Sequence, residues 1–95
     1  QKRKIRMRKI KKKKKKDNVA IVLADLKPDQ VVIVEDDKIR VREEIPYGHK
    51  IALEDVAEGG TIYKYGEPVA RCIQKIQKGD WVHVHNVESI RGVGR

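Results

Sequence analysis

All three histidines of this chain lie in two short segments, each next to residues that form turns. His83 and His85 stand in WVHVHNV, whose apolar pattern predicts a strand, and His49 stands in PYGHK, which its Pro and Gly predict to be a loop. Side chains of a strand alternate between its two faces, so this strand would point His83 and His85 the same way. Imidazoles in such an arrangement can bind a metal ion together or transfer protons near neutral pH.

Two hypotheses explain this pattern, and the residue types alone do not separate them. In the functional hypothesis His83 and His85 reach one metal ion, and His49 completes a facial set of ligands from its loop. In the structural hypothesis they are ordinary hydrogen-bonded histidines of a surface or an interface. The functional hypothesis requires His49 to lie near the pair, with partly exposed rings at a cleft. The structural hypothesis predicts buried rings with satisfied hydrogen bonds, or His49 on the opposite side.

The segments around the histidines are short apolar runs separated by turn residues, which predicts an all-β fold. A chain of 95 residues forms one small domain. Because only 4% of the residues are aromatic, the core must consist mainly of Val, Ile and Leu. The interrupted strands favour a barrel-like or folded-ribbon architecture. We expect at most one or two short helical turns, the first choice being Leu53 to Glu58, and no internal repeat is apparent.

The basic residues of the chain are concentrated at its N-terminal end. The first 16 residues carry 12 of the 23 Lys and Arg and no acid, whereas the rest of the chain has 11 basic and 14 acidic residues. We therefore divide the chain into a basic segment, residues 1–16, and a β domain, residues 17–95. In the basic segment KIRMRKI could form a first strand, and Lys11 to Lys16 form a like-charged block that favours solvent exposure.

This charge distribution argues against a nucleic acid as the partner. The basic arm could contact phosphates, and such binding would weaken steeply with added salt. The β domain, however, is acidic and lacks a face of aromatic and basic residues on which bases could stack. A small aliphatic core is stabilised by association, so we expect either a homo-oligomer or a larger partner chain.

Two further features bear on the cellular compartment. The single cysteine, Cys72, excludes an intramolecular disulfide and is typical of a reducing environment. No apolar run approaches the roughly 20 residues needed to cross a bilayer, and no signal-peptide apolar segment follows the basic N-terminus. We expect a cytoplasmic protein without a membrane partner.

Three segments together resemble one protein family. They are DNVAIVLADLKPDQ from Asp17, IPYGHKIALEDVAEGGTIYKYGEPVARC from Ile45 and IQKGDWVHVHN from Ile76. In this order they are similar to the N-terminal SAF domain of the altronate and galactarate dehydratase family, over residues 17–87. The resemblance implies a β-clip fold, in which a long hairpin ribbon folds over on itself. Within residues 1–16 the family pattern implies a short first strand, but the lysine block, Lys11 to Lys16, is not part of it.

The resemblance also implies a function. Members of the family eliminate water from hexonic acids such as altronate and galactarate to give a 2-keto-3-deoxy acid, and they depend on a divalent metal, commonly Fe2+ or Mn2+. Their large catalytic domain is missing from this chain, which would therefore be the small subunit of a dehydratase that needs a larger catalytic subunit. Two alternatives are the small subunit of a sulfolactate sulfo-lyase, which eliminates sulfite, and a SAF module that binds or assembles without catalysis.

The same resemblance suggests roles for four residues. Dehydration of a 2,3-dihydroxy acid needs a base, an acid or Lewis acid for the departing hydroxyl, and stabilisation of the enediolate. His49, His83 and His85 would supply these catalytic functions, with His83 and His85 also as metal ligands. Lys50 would bind the carboxylate of the substrate.

The basic segment generates a first testable prediction. Because the lysines of the block repel one another, replacing Lys11 to Lys16 by a neutral linker should leave the melting temperature unchanged. Deleting residues 1–10 should lower it if KIRMRKI pairs as a strand. Thermal melts of the two variants distinguish these effects, and unfolding on loss of the lysine block alone would refute the prediction.

Overall fold

The chain forms a small all-β domain, as the alternation of apolar and turn residues predicts. A computed structural model describes residues 4–6 and 16–90, and over these residues it contains nine short strands and no helix. The described residues accordingly include no helix able to cross a membrane. The strands are β1 (Lys4–Arg6), β2 (Val19–Ile21), β3 (Val31–Val34), β4 (Asp37–Arg40), β5 (Lys50–Ala52), β6 (Thr61–Lys64), β7 (Glu67–Cys72), β8 (Trp81–Val82) and β9 (Val87–Ser89).

These strands form three sheets of three strands each, in the orders β1-β3-β4, β2-β5-β8 and β6-β7-β9. Strands β3 and β4 form one hairpin and β6 and β7 another, and each hairpin gains one further strand. The β2-β5-β8 sheet contains no hairpin, because its three antiparallel strands come from distant parts of the chain. Among the described strands only β1 and β3 pair in parallel.

Two clusters of buried, mostly aliphatic side chains form the core, and both include residues of the β2-β5-β8 sheet, which we call the central sheet. Its strands send alternate residues to the two clusters: Ala20 and Ile51 belong to the first, Val19 and Ala52 to the second. A strand buried on both faces needs apolar residues at successive positions, which accounts for the unbroken run VAIV. Burial raises the pKa of the Cys72 thiol in the second cluster, so this residue acts as a small apolar side chain.

Four β-turns of one kind punctuate the chain. They span residues 27–30, 46–49, 57–60 and 77–80. In each turn the N–H of the fourth residue donates to the carbonyl oxygen of the first, at donor–acceptor distances between 2.8 and 3.2 Å. The third residue has a positive φ between 73° and 93°, which favours Gly and is tolerated by Asp. These third residues are Asp29, Gly48, Gly59 and Gly79.

Each turn is tied to a distant strand by the same pair of backbone hydrogen bonds. The N–H of Gly48 donates to the carbonyl of Val22 at 2.9 Å, and the N–H of Val22 donates to the carbonyl of His49 at 2.8 Å. The turn that contains Gly79 bonds to Ala52 in the same way, at 2.9 Å in both directions. The other two turns make equivalent pairs of bonds at the ends of β4 and β7. The turns at residues 46–49 and 77–80 therefore fix where β5 and β8 of the central sheet begin.

The order of turn, hairpin and turn occurs twice, once around β3 and β4 and again around β6 and β7. In each copy an isolated antiparallel bridge joins the two turn segments, Leu26 with Ile45 in the first and Val56 with Ile76 in the second. No repeat is apparent in the sequence because the two copies have few residue types in common. Three of the four turns have Gly at the third position, and the bridge positions are all aliphatic.

The helical turn expected at Leu53 to Glu58 does not form. Within this segment Val56 exchanges both backbone hydrogen bonds with Ile76, each at 2.8 Å, and the turn at residues 57–60 follows directly. Bonding to a distant segment uses the backbone groups that a helical turn would need for itself.

Two buried polar side chains attach the second hairpin to the central sheet. The Asp17 carboxylate accepts hydrogen bonds from the backbone N–H groups of Tyr65 and Gly66, at 2.9 and 2.7 Å. The side chain of Asn18 makes two further bonds to the backbone of β6, at 2.9 and 3.0 Å. Both side chains are almost fully buried and have hydrogen-bond partners, so they hold the tip and the first strand of this hairpin in place.

The basic segment is described only in part. Lys4–Arg6 pairs with β3, and Lys16 is exposed. The remainder of the predicted like-charged block, Lys11 to Lys15, lies outside the described residues, as do residues 91–95 of the predicted β domain.

Gly79 generates a prediction about stability. A Cβ atom at this position would lie 2.1 Å from the carbonyl oxygen of Arg40, and φ is 93°. We expect Gly79→Ala to cost more than about 4 kcal/mol, a loss that single substitutions reach only through a specific defect. Gly59→Ala is the matched control, because its φ is 86° but nothing lies within 4 Å of the added Cβ; it should cost about 1–2 kcal/mol. Urea unfolding measures both, and equal losses would contradict the steric argument.

Candidate functional site

The three histidines lie together around one tryptophan. The ring of His83 stacks on Trp81, with centroids 5.3 Å apart and planes 10° apart, and the ring of His85 is tilted against the same tryptophan at 5.2 Å. The ring of His49 lies 4.9 Å from that of His83 and 5.5 Å, edge-on, from that of Trp81. We call these four residues the ring cluster.

The pairing of β5 with β8 accounts for the ring cluster. Lys50 pairs with Val82 in an antiparallel ladder, so the next position along the ladder sets His49 opposite His83. The positive φ of Gly48 and its hydrogen bond to Val22, the residue after β2, determine where β5 begins. The register of this backbone pairing therefore brings His49, which lies in a loop, next to the other two histidines.

The predicted strand over WVHVHNV is wrong beyond Val82, where β8 ends and a turn over residues 83–86 begins. Asn86 closes this turn with its side chain: its Oδ1 accepts a hydrogen bond from the N–H of His83 at 3.0 Å, and its Nδ2 donates to the carbonyl of Trp81 at 2.8 Å. These bonds replace those of a continuing strand, and they make the buried Asn86 a structural residue of the site.

Sequence reasoning missed the turn although a signal was present. Asn is a residue that forms turns by bonding to nearby backbone groups, and it follows His85 directly. As a result His83 and His85 do not share a strand face. They lie on either side of Val84 near the tip of the turn, and all three side chains are exposed, Val84 by 76%.

Trp81 is held on several sides. It packs against the first core cluster, its backbone N–H donates to Oε2 of Glu43 at 3.1 Å, and its indole Nε1–H donates to Nδ1 of His49 at 3.1 Å. Sequence reasoning also missed Glu43, whose contact depends on the pairing of distant segments. A salt bridge between Arg42 and Asp80, with Nε and Oδ1 2.8 Å apart, links the same two segments.

A groove of about 550 Å³ runs beside the ring cluster, and His83 is one of its lining residues. Most of the lining is apolar and comes from β6, β7, β8 and β9, while Lys50 and Lys64 supply positive charge. Lys64, which sequence reasoning did not select, is 7% exposed, and its Nζ lies 3.8 Å from the centroid of the Tyr65 ring. An apolar groove with a few polar groups is typical of small-molecule sites.

The proximity that the functional hypothesis requires is present, but of the three histidines only His83 lines the groove. His49 lies beside the other two histidines and is half-buried, whereas His83 and His85 are exposed. The rings are thus not buried as the structural hypothesis predicts. The chemical roles of these histidines, and that of Lys50 as a carboxylate-binding residue, stay predictions.

The expected metal centre does not fit the described residues as a complete site. Among them, no group of three or more His, Cys, Asp or Glu side chains is arranged to hold a metal ion. The Nδ1 atom of His49 is also engaged by Trp81. Ligation of a metal by His83 and His85 stays a prediction that needs ligands from elsewhere.

Known proteins are similar to this chain in sequence. The chain is 40% identical over 73 residues to altronate dehydratase of Escherichia coli (strain K12), an alignment that covers 77% of this chain and 15% of that enzyme. It is also similar to the alpha subunits of (2R)-sulfolactate sulfo-lyase. The identity is 44% over 54 residues for Chromohalobacter salexigens, covering 57% of each chain. For Paracoccus pantotrophus it is 34% over 56 residues, covering 59% of this chain and 84% of the subunit.

The match therefore spans about 15% of the length of the altronate dehydratases. Residues 7–90 match the family described as the altronate/galactarate dehydratase SAF domain. This range of the chain contains both histidine segments and the strands that bring them together. The chain belongs to this SAF domain family.

Proposed function

We propose that this chain is the small subunit of a sugar-acid dehydratase of the altronate/galactarate type, a carbon–oxygen hydro-lyase. Its ring cluster would form part of an active site that a larger catalytic subunit completes. One observation carries the proposal: all three histidines gather around Trp81 beside a groove that Lys50 also lines. The names of the relatives, which are dehydratases and lyases, support the reaction class.

The chemistry of water elimination needs groups of this kind. A base removes the proton on the carbon next to the carboxylate, the resulting enediolate carries the negative charge, and the hydroxyl on the following carbon leaves as water after taking up a proton. Exposed imidazoles can perform the proton transfers near neutral pH. His83 and His85 are exposed at a turn tip, where a substrate held by another chain can reach them.

A divalent metal, Fe2+ or Mn2+, belongs to the proposal only as a predicted cofactor. His83 and His85 would contribute imidazole ligands, and the larger subunit would have to contribute the others, because the described residues offer no set of three. Such an ion would supply Lewis acidity for the departing hydroxyl. The proton-transfer roles proposed for this chain do not depend on the ion, and they fall to a histidine that does not bind it.

The groove offers groups that could bind the substrate and a surface that could contact the partner chain. Lys50 can pair with the substrate carboxylate, and the apolar lining offers a surface that the larger subunit can cover. Association with that subunit, formation of homo-oligomers and location in the cytoplasm are predictions that copurification and fractionation would test.

The second candidate is the small subunit of a sulfolactate sulfo-lyase. It is favoured by the match to 84% of the alpha subunit from Paracoccus pantotrophus. The two reactions differ in the leaving group, sulfite in place of water, which the larger subunit would largely recognise. A panel of aldonic, aldaric and sulfonic acids, assayed with the larger subunit present, separates the two candidates. A lack of activity on all of them would favour a non-catalytic SAF module.

The histidines generate the prediction that tests the proposed function. His83→Gln and His85→Gln retain hydrogen-bonding groups but cannot shuttle protons. If these residues act in acid–base catalysis, kcat of the reconstituted enzyme should fall by about 10²- to 10⁴-fold in at least one variant. Because both side chains are exposed, the free energy of unfolding should change by less than about 0.5 kcal/mol. Full activity of both variants would end the functional hypothesis.

Lys50 generates a separate prediction about substrate binding. Removing a charged hydrogen bond of about 1.5–3 kcal/mol should raise KM about 10- to 100-fold in Lys50→Gln. The matched control is Lys75→Gln, which removes the same charge from an exposed residue that does not line the groove. If the two variants have the same KM, Lys50 does not bind the carboxylate.

A further inference from the structure

The hydrogen bond between Trp81 and His49 restricts where the histidine can carry its proton. The indole nitrogen is a donor only, and it lies 3.1 Å from Nδ1 of His49. Nδ1 must therefore be the acceptor and cannot bear a hydrogen atom while this bond exists. In a neutral imidazole the proton then sits on Nε2.

We infer that Trp81 is a positioning residue that holds His49 as the neutral Nε2–H tautomer, so that His49 acts as a hydrogen-bond donor to developing negative charge and not as the base. The assignment of charge stabilisation rests on the proposed function, whereas the tautomer does not. The base of the proposed elimination is then His83 or His85.

The chemistry of the ring leads to this division of roles. The only nitrogen of the neutral ring that could accept a proton is Nδ1, and a proton there would point at the N–H of Trp81 and break the bond. Nε2–H can donate a hydrogen bond to an enediolate oxygen without transferring its proton. A neutral histidine that polarises an oxygen in this way is an established device for stabilising enediolates in other enzymes.

Trp81 is suited to this role because its own position is fixed from several directions. Its backbone N–H is bonded to Glu43, its carbonyl accepts from Nδ2 of Asn86, and its ring packs against the first core cluster. The indole has one N–H, and His49 uses it. Trp81 therefore contacts His83 and His85 through their rings alone, and the tautomers of those two residues are not restricted by it.

Nuclear magnetic resonance of the full 95-residue chain, labelled with ¹⁵N, tests the tautomer directly. At about pH 8.5, roughly two units above the ordinary imidazole pKa, long-range ¹H–¹⁵N spectra distinguish protonated from unprotonated ring nitrogens. We expect Nδ1 of His49 to be unprotonated and to show a scalar coupling across the hydrogen bond to Nε1 of Trp81. A protonated Nδ1 in the unmodified chain overturns the inference, whatever the activity of the enzyme.

Trp81→Phe keeps an aromatic ring but removes the donor. In this variant the coupling should be lost. The ring ¹⁵N chemical shifts of His49 should move toward those of His85, whose mixture of tautomers serves as the internal reference. The shifts of His85 should not follow. If the His49 tautomer is unchanged in a folded variant, Trp81 does not position it. If the variant fails to fold, the measurement on the unmodified chain still decides.

Activity of the reconstituted enzyme tests the role of the proton. His49→Gln keeps a side-chain N–H donor, whereas His49→Phe does not. We expect His49→Gln to retain at least tenfold more kcat than His49→Phe, with melting temperatures of both reported. Equal activities of the two variants would overturn the donor role of His49. If the unmodified chain has no activity with the larger subunit, the proposed function is wrong, but the measured tautomer of His49 still stands.

Discussion

The site of this protein depends on the short ladder between β5 and β8. Lys50 pairs with Val82 in it, and the continuation of that register sets His49 opposite His83. A ladder this short is supported from outside by the turn at residues 77–80, which is bonded to the end of β5. The backbone N–H of Arg42, just after the first hairpin, donates to the carbonyl oxygen of Gly79 at 3.1 Å and holds the same turn in place. The geometry of the four rings therefore rests on backbone contacts, and only the pairing of Ile51 with Trp81 in this ladder involves a residue of the ring cluster.

The motifs through which the sequence resembles its family separate into two physical classes. In DNVA, the first two residues hold the tip and first strand of the second hairpin by hydrogen bonds. The glycine of PYGHK provides a positive φ, and the asparagine of WVHVHN closes a turn. The histidines, the tryptophan and Lys50 stand at or beside the groove. PYGHK and WVHVHN thus each combine a residue that shapes the backbone with residues that can meet a ligand, whereas the residues of DNVA are buried and structural.

Local sequence patterns are sufficient to predict the fold class but not the geometry of the site. The aliphatic core and the all-β architecture follow from apolar runs and turn residues, because both are local properties. The pairing of Val56 with Ile76, which replaces an expected helical turn, joins segments whose contact cannot be read from either one. His83 and His85 were expected together because of strand alternation, yet a turn closed by Asn86 brings both to Trp81.

The central sheet also has a consequence for the order of events in folding. The two hairpins are local and can form early, but the central sheet joins β2, β5 and β8, which are separated along the chain by a complete hairpin each. Closing such distant contacts is the slow part of folding in β proteins. We expect the ring cluster to appear only in this last step, so a chain that has made its hairpins but not its central sheet would have ordered secondary structure and no site.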